Sequence, residues 1–363
     1  METNELASLF CLHSLEQIGN RTLWKIKNYF GSFQNCLDAP SQDLQASFLS
    51  EDIASRILAA RQNIDRQQML KDYLDSGARL SCIEDEDYPL WLGKIHDPPY
   101  LLYYRGELSS LNELSIAIVG SRRASSYGKI QSFRLSRELA AKGITIVSGM
   151  ARGIDTEAHK GALEAGGQTI AVLGSGLDVI YPPENKQLYN EISQQGAVIT
   201  EFPPHTHPEP GNFPMRNRVI AGLSRGVLVV EAQQRSGALI TVDFALEQGR
   251  DVFAVPGPIN SKNSEGTNNL IKQGACLVTE INDILSEYGI DQEENETNLQ
   301  QGKLFDLSSE EKLVLELLSS ESKHFDDLVY ESKLTIGELS TYLLQMELKG
   351  IIKALPGNYY VKI

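Results

Sequence analysis

The stretch IAIVGSRR (116–123) decides the fold. Its four apolar residues run without alternation, as a strand covered on both faces requires, and a glycine ends the run. A helical pattern follows, with Phe133, Leu135, Leu139 and Ala140 on one face and Gly143 as the stop. Moving outward, the same plan recurs. Short apolar runs stand at Ile144–Val147, Ile170–Leu173, Val198–Ile199, Val227–Val230 and Val252–Val255. Most are closed by glycine, proline or a small residue, and most lead into a helix. Strand, glycine, helix in repetition predicts an α/β fold with a doubly wound, mostly parallel sheet. Ligands of such sheets bind beyond the carboxyl ends of the strands, at the topological switch.

The loops after these strands are therefore the candidate site. They carry Gly120, Ser121 and Arg122 after the first strand, and Gly149, Arg152 and Gly153 after the second. Gly174, Ser175 and Gly176 follow the third, then Lys186 in YPPENK (181–186). Further on stand Phe213, Arg216, Asn217 and Arg218, and then Ser236, Gly237 and Thr241. Glycines let backbone approach a ligand, and helix N-termini offer unpaired N–H groups that suit phosphate. The hydroxyls add donors, and the arginines add charge-assisted forks. Together these loops predict a phosphate-binding edge. Asp155 before Thr156 is either a helix cap or a polar contact in the site. Glu201 and Glu231 end strands, as general bases or as arginine partners. His205 and His207 resemble a metal pair, but no third ligand accompanies them, so neither metal nor cofactor is expected.

Charge supports the same region. The chain has 363 residues with 33 basic and 48 acidic side chains, a formal charge of −15, which excludes a globally basic nucleic-acid binder. Residues 115–280 hold 16 basic and 15 acidic residues, so the acidity belongs to the flanks. A neutral block with clustered arginines can present a positive groove in an acidic protein. The cysteines, Cys11, Cys36, Cys82 and Cys276, lack metal or redox spacing. Glu2 and Glu5 stand at the start with no long apolar run, so a cytoplasmic protein is expected.

The motifs GSR (120–122), SGMARGID (148–155), LGSGLDVIYPPEN (173–185) and NFPMRNRVIAGLS (212–224) resemble the DNA-processing protein A family (DprA, also called Smf). So do RSGALITVDFALEQGRDVFAVPG (235–257) and EGTNNLIKQGA (265–275). The resemblance implies an extended Rossmann-like domain that binds single-stranded DNA without sequence preference. It also implies a dimer that helps load the RecA recombinase onto DNA taken up in natural transformation, with no catalysis. On it, Ser121 and Arg122 hold one phosphate and Gly174, Ser175 and Gly176 nest another. Lys186 adds charge, while Ser236, Gly237 and Thr241 complete the edge. Phe213 stacks a base or is a core residue, with Arg216, Asn217 and Arg218 beside it. Two departures stand out: Ala238 where the family often has serine, and His205 where glycine is common.

The division expected is a helical SAM-like or helix-hairpin-helix-like domain at 1–72, the Rossmann-like domain at 73–288, an acidic linker at 289–306 and a winged helix at 307–363. In the first, Gly19-Asn20 replaces the usual glycine pair, which favours a packing or partner role for that hairpin. The last carries six lysines and nine acidic residues, a net of −3, so contact with protein rather than duplex DNA is expected. Leu270 and Ile271, with Leu277 on an edge strand, are the expected dimer interface. The alternative function is a LOG-like phosphoribohydrolase acting on nucleoside monophosphates, but its glycine-glycine-x-glycine-threonine loop is replaced by SGALIT (236–241). A dinucleotide oxidoreductase fails because Gly120-Ser121-Arg122 is not G-x-G-x-x-G.

Overall fold

A computed structural model describes residues 1–108, 114–290, 308–318, 322–348, 351–355 and 357–362. It divides into two compact units, 1–284 and 285–363. Of the expected acidic linker, residues 291–306 lie outside the described residues, as do Lys349 and Pro356 of the C-terminal segment.

The first unit opens with six helices: α1 (Thr3–His13), α2 (Asn20–Phe30), α3 (Phe33–Asp38), α4 (Ser41–Ala46), α5 (Glu51–Asn63) and α6 (Arg66–Asp75). Strands β1 (Arg79–Cys82) and β2 (Leu101–Gly106) follow. Then strands and helices alternate: β3 (Ser115–Val119), α7 (Ser126–Ala141), β4 (Thr145–Ser148), α8 (Ile154–Glu164), β5 (Thr169–Val172), α9 (Lys186–Gln195) and β6 (Ala197–Thr200). The second half runs α10 (Asn212–Leu223), β7 (Gly226–Val229), α11 (Gly237–Glu247), β8 (Asp251–Ala254), α12 (Glu265–Lys272), β9 (Cys276–Leu277) and α13 (Asn282–Leu285).

These strands form one sheet in the order β1-β2-β6-β5-β4-β3-β7-β8-β9. From β6 to β9 every pairing is parallel, while β1 and β2 are added antiparallel at one edge. The central strands are buried along their whole length, which explains why their sequences show apolar runs instead of alternation. Winding proceeds from β3 to one side through β4, β5 and β6, then resumes at β7 on the other side. The switch point lies between β3 and β7.

The N-terminal helices are not a free-standing bundle. Phe10, Leu12, Phe33 and Leu37 share one buried cluster with Tyr100, Tyr103, Leu173 and Val198 of the sheet region. His13 from α1 makes a buried 2.7 Å hydrogen bond with the Tyr103 hydroxyl, and burial pushes its imidazole down to about 4. The Gly19-Asn20 hairpin packs against the loop before β2. The Asn20 side chain donates to Asp97 Oδ1 at 3.0 Å and Pro98 O at 2.9 Å, and accepts from the Tyr100 amide at 2.7 Å.

The second unit is a winged helix. It contains α14 (Ser309–Leu317), β10 (Lys323–His324), α15 (Phe325–Ser332), α16 (Ile336–Leu348), β11 (Ile352–Leu355) and β12 (Tyr359–Lys362). Its sheet order is β10-β12-β11. Val314, Leu318, Leu328, Leu339, Leu343 and Met346 make its core. Leu313 is exposed, because Val314 and Leu318, one turn apart, supply the buried face of α14.

Candidate functional site

β3 delivers the first loop. At Gly120 a Cβ would stand 2.6 Å from Ile154 Cγ1 and 2.9 Å from Glu231 O, so only glycine fits. The Ser121 amide donates to Glu231 O at 2.8 Å, and its hydroxyl accepts from the Arg123 amide at 3.1 Å. Gly153, φ +79°, lies against the same loop, where a Cβ would meet Ser121 O at 2.3 Å. These contacts fix the backbone and leave the Arg122 side chain exposed, with its guanidinium 4.8 Å from the Phe213 ring centre. That is cation–π range.

Phe213 comes from the first turn of α10 and is half-buried. It packs on Gly174, where an added Cβ would lie 3.0 Å from the ring, and its centre is 5.7 Å from that of Tyr181. Arg216, one turn on, stands 5.9 Å from the same ring. Its guanidinium is buried and donates to Gly149 O at 2.8 Å and to Val172 O. Burial lowers it to about 10, against the pull of Asp155. Asp155 accepts from the amides of Gly149 (3.2 Å) and Ala151 (3.3 Å), so it ties the second loop together as a polar contact. Burial raises its carboxyl to about 6, and Arg216 and the two amides restrain the rise.

The loops, α10 and the start of α11 enclose an open cavity of about 680 Å³ at the β3–β7 switch. Its wall includes Gly120, Ser121, Arg122, Phe213, Arg216 and Asn217, and on the far side Ser236, Gly237 and Thr241. Asn217 bridges the two helices by donating to Gly237 O at 3.3 Å. The Ser236 hydroxyl caps α11 by accepting from the Ala238 amide at 3.3 Å, and Thr241 is buried in the wall. Gly149, Gly174 and Ser175 line an adjoining niche behind Phe213, together with Arg152. The amides of Gly174 and Ser175 have no protein acceptor among the described residues, whereas that of Gly176 donates to Thr206 O at 3.0 Å. The Ser175 hydroxyl is spent on Val179 O at 2.7 Å.

Three candidates lie outside the main cavity wall. Arg218 projects away from the cavity: it is buried, paired with Glu201, and donates to Asp97 O at 2.7 Å. That is the arginine-partner role for Glu201, whose carboxyl burial raises to about 7 while Arg218 opposes the rise. Arg152 forms an exposed ion pair with Glu184, which offsets its charge. Lys186 is exposed at the start of α9, outside the cavity wall. Glu231 accepts from the Ser125 amide at 2.9 Å and from its hydroxyl, at the start of α7. His205 has φ +65°, the left-handed region that glycine favours, and the Asp178 carboxylate holds both its amide (2.9 Å) and its ring (2.6 Å). Arg123, Arg235 and Tyr181 line the cavity although they were not among the expected site residues. The pairing of Arg123 with Arg122, and of Arg235 with Ser236, was the available signal.

Residues 79–289 match the family described as DNA recombination-mediator protein A, and residues 300–358 match the DprA winged helix domain. The chain belongs to the DNA recombination-mediator protein A family. Protein Smf of a Synechocystis strain is 34% identical over 395 residues, covering 99% of both chains. The crystal structure of DNA processing protein A from Streptococcus pneumoniae covers 79% of this chain and 98% of its own, with 37% identity and TM-score 0.65. A solved structure of DNA processing protein A from Helicobacter pylori covers 58% of this chain and 95% of its own, with 33% identity and TM-score 0.53, and is described for its single-stranded DNA binding mode. Family membership accounts for the conjunction seen here, an extended Rossmann-like sheet joined to a winged helix in one chain. Among the described residues, no helix is long and apolar enough to cross a membrane.

Proposed function

We propose that this chain grips single-stranded DNA without sequence preference along the cavity rim, protects incoming strands and promotes RecA loading in natural transformation. It does so in the cytoplasm, as a homodimer and without catalysis. The carrying observation is the wall itself: Arg122, Arg123, Arg216 and Arg235 face an open cavity, opposed by Asp155, in a protein of charge −15. Cationic forks, free loop amides and an aromatic face suit a strand held by phosphate and stacking, which carry little sequence information. In this reading Arg122 binds phosphate and Phe213, flanked by two guanidinium groups, stacks a base. The Gly174–Ser175 amides and the α11 N-terminus at Ser236–Gly237 take further phosphates. Gly120, Gly149, Gly153 and Thr241 shape the wall. Arg216 and Asn217 hold it, and Lys186 extends the charge beyond it.

The homodimer reading is supported by β9, which among the described residues is an edge strand pairing only with β8. Leu277 on it is exposed, and half-buried Ile271 and Leu270 stand on the adjacent α12. An uncovered edge with apolar neighbours is a self-association surface. The phosphoribohydrolase alternative gains nothing from Asp155 in the cavity or from Glu231 after β7, since Asp155 is engaged by loop amides and Glu231 by Ser125.

The test is fluorescence anisotropy with oligothymidylate over a salt series, with a nucleoside monophosphate assayed for base release on the same preparation. Binding that weakens with salt, and no turnover, is expected. Arg122→Ala should lower the salt slope by about 0.7 for its phosphate contact. Base release, or a slope unchanged in Arg122→Ala, refutes the reading.

A further inference from the structure

α2 is the most basic helix among the described residues of a strongly acidic chain. It carries Arg21, Lys25 and Lys27 and no carboxylate. Leu23 and Ile26 bury one face, and Lys27 turns inward to Glu84 at 3.1 Å and Glu5 at 3.6 Å. Arg21 and Lys25 remain exposed and make no ion pair among the described residues. Arg21, Lys25 and Tyr29 are spaced four residues apart, so they form one stripe on the solvent face. Asn28, one turn beyond Lys25 and also exposed, adds a neutral amide beside it.

Large aromatic rings stand in the same stripe. Tyr29 is 56% exposed and Phe48, from the turn after α4, is 40% exposed. Their ring centres are 5.8 Å apart at 70°, and Lys25 Nζ sits 5.9 Å from the Phe48 centre. Solvent-facing aromatics held in place beside cations without a carboxylate partner have no role in the core. Two acids near these segments in sequence, Glu16 and Asp52, both pair with Arg56 instead.

The helix that bears the stripe and a helix of the cavity wall meet at one residue. Asp97 O accepts from Arg218 of α10, the helix bearing Phe213 and Arg216, and Asp97 Oδ1 accepts from Asn20 at the start of α2. Trp24 Nε1 adds a 3.2 Å bond to Pro98 O. α10 and α2 are thus pinned to one loop within the same compact unit.

We propose that the Arg21–Lys25 stripe with Tyr29 and Phe48 is a second contact surface for single-stranded DNA, extending the path that begins at the cavity. The cations pair phosphates and the rings stack bases, the combination that non-specific single-strand binders use. This rests on the cavity reading for its partner, but not for its outcome.

The test uses the full chain and a long oligothymidylate, with Arg122→Ala in parallel. The combined Arg21→Ala, Lys25→Ala variant should lower the salt slope by about 1.4, at about 0.7 per phosphate. Tyr29→Ala with Phe48→Ala should weaken binding by about fivefold to a hundredfold for each ring that stacks. Photo-crosslinking of bromodeoxyuridine-substituted DNA should mark peptides holding Tyr29 or Phe48. All four side chains are exposed, and an unchanged melting temperature checks that the variants fold. Wild-type slope and affinity in both variants, without a crosslink there, overturn the proposal even when Arg122→Ala weakens binding. Should the α2 variants weaken binding and Arg122→Ala not, the cavity reading fails and the second surface stands. Unchanged DNA affinity with lost co-sedimentation of the recombinase makes the stripe a protein-docking surface and also overturns it.

Discussion

Replacing Arg216 with Met tests whether the cavity floor is held by a buried charge couple. An added Cβ at Gly149 would lie 2.7 Å from Arg216 Nη2 and 2.8 Å from Asp155 Oδ2, so those atoms are no more than about 5.5 Å apart. At an effective dielectric of about 20, unit charges at that distance attract by about 3 kcal/mol. Methionine also strips donors from the carbonyls of Gly149 and Val172. The expected loss near pH 8 is about 4 kcal/mol, within the range of about 3–5 for breaking a buried pair from one side. Asp155 gives the loss a pH signature. Its folded-state pKa of about 6 lies above its ordinary 3.8, so the folded chain keeps a proton that the unfolded chain releases between those values. Stability therefore falls as pH rises through that window, by about 3 kcal/mol in all. In the variant the carboxyl titrates higher still. Near pH 5.5 it is mostly protonated in both proteins, so the penalty there should shrink to about 1–2 kcal/mol. Urea unfolding followed by tryptophan fluorescence is the assay, because Trp24 and Trp91 both lie in the first unit. Adding Asp155→Asn should restore much of the loss near pH 8. An equal penalty at both pH values, or no recovery, refutes the reasoning.

Gly153→Ala should cost at least about 2 kcal/mol, because φ is +79° and the new methyl meets Ser121 O; wild-type stability in the same urea assay would show that the loop simply yields. Leu277→Arg should convert the proposed homodimer to monomer in sedimentation equilibrium by placing a charge beside the β9 edge, and a variant that stays dimeric moves the interface elsewhere. The isolated segment 307–363 should not retain duplex DNA in a gel-shift assay at physiological salt, since α16 presents Glu338 and Glu347 and the segment is net acidic; a shifted band would mean that the wing reads DNA after all.

Local sequence was enough for the sheet. Uninterrupted runs such as Ile116–Val119 and Val227–Val230 mark strands covered on both faces, and Gly120 after the first marks a tight turn, because both constraints act within a few residues. The site loops were legible for the same reason: the N-terminus of a helix that follows a parallel strand must point beyond the strand ends. What local sequence could not distinguish was which arginine faces the cavity. Arg216 and Arg218 are two residues apart on α10, so about 200° of helical rotation separates them. One meets Gly149 and Val172 on the cavity side, and the other Glu201 and Asp97 on the opposite side. Likewise, nothing near Asn20 or Phe48 announces their partners, because Asp97 and Tyr29 are distant in sequence and meet them only once the chain has folded. The chain's own order of residues determined the layered architecture and the place of the cavity, since periodicity and turn chemistry are short-range. Which charged side chains are buried, paired or left facing solvent was decided by packing, since desolvation and pairing depend on neighbours that only the folded chain brings together.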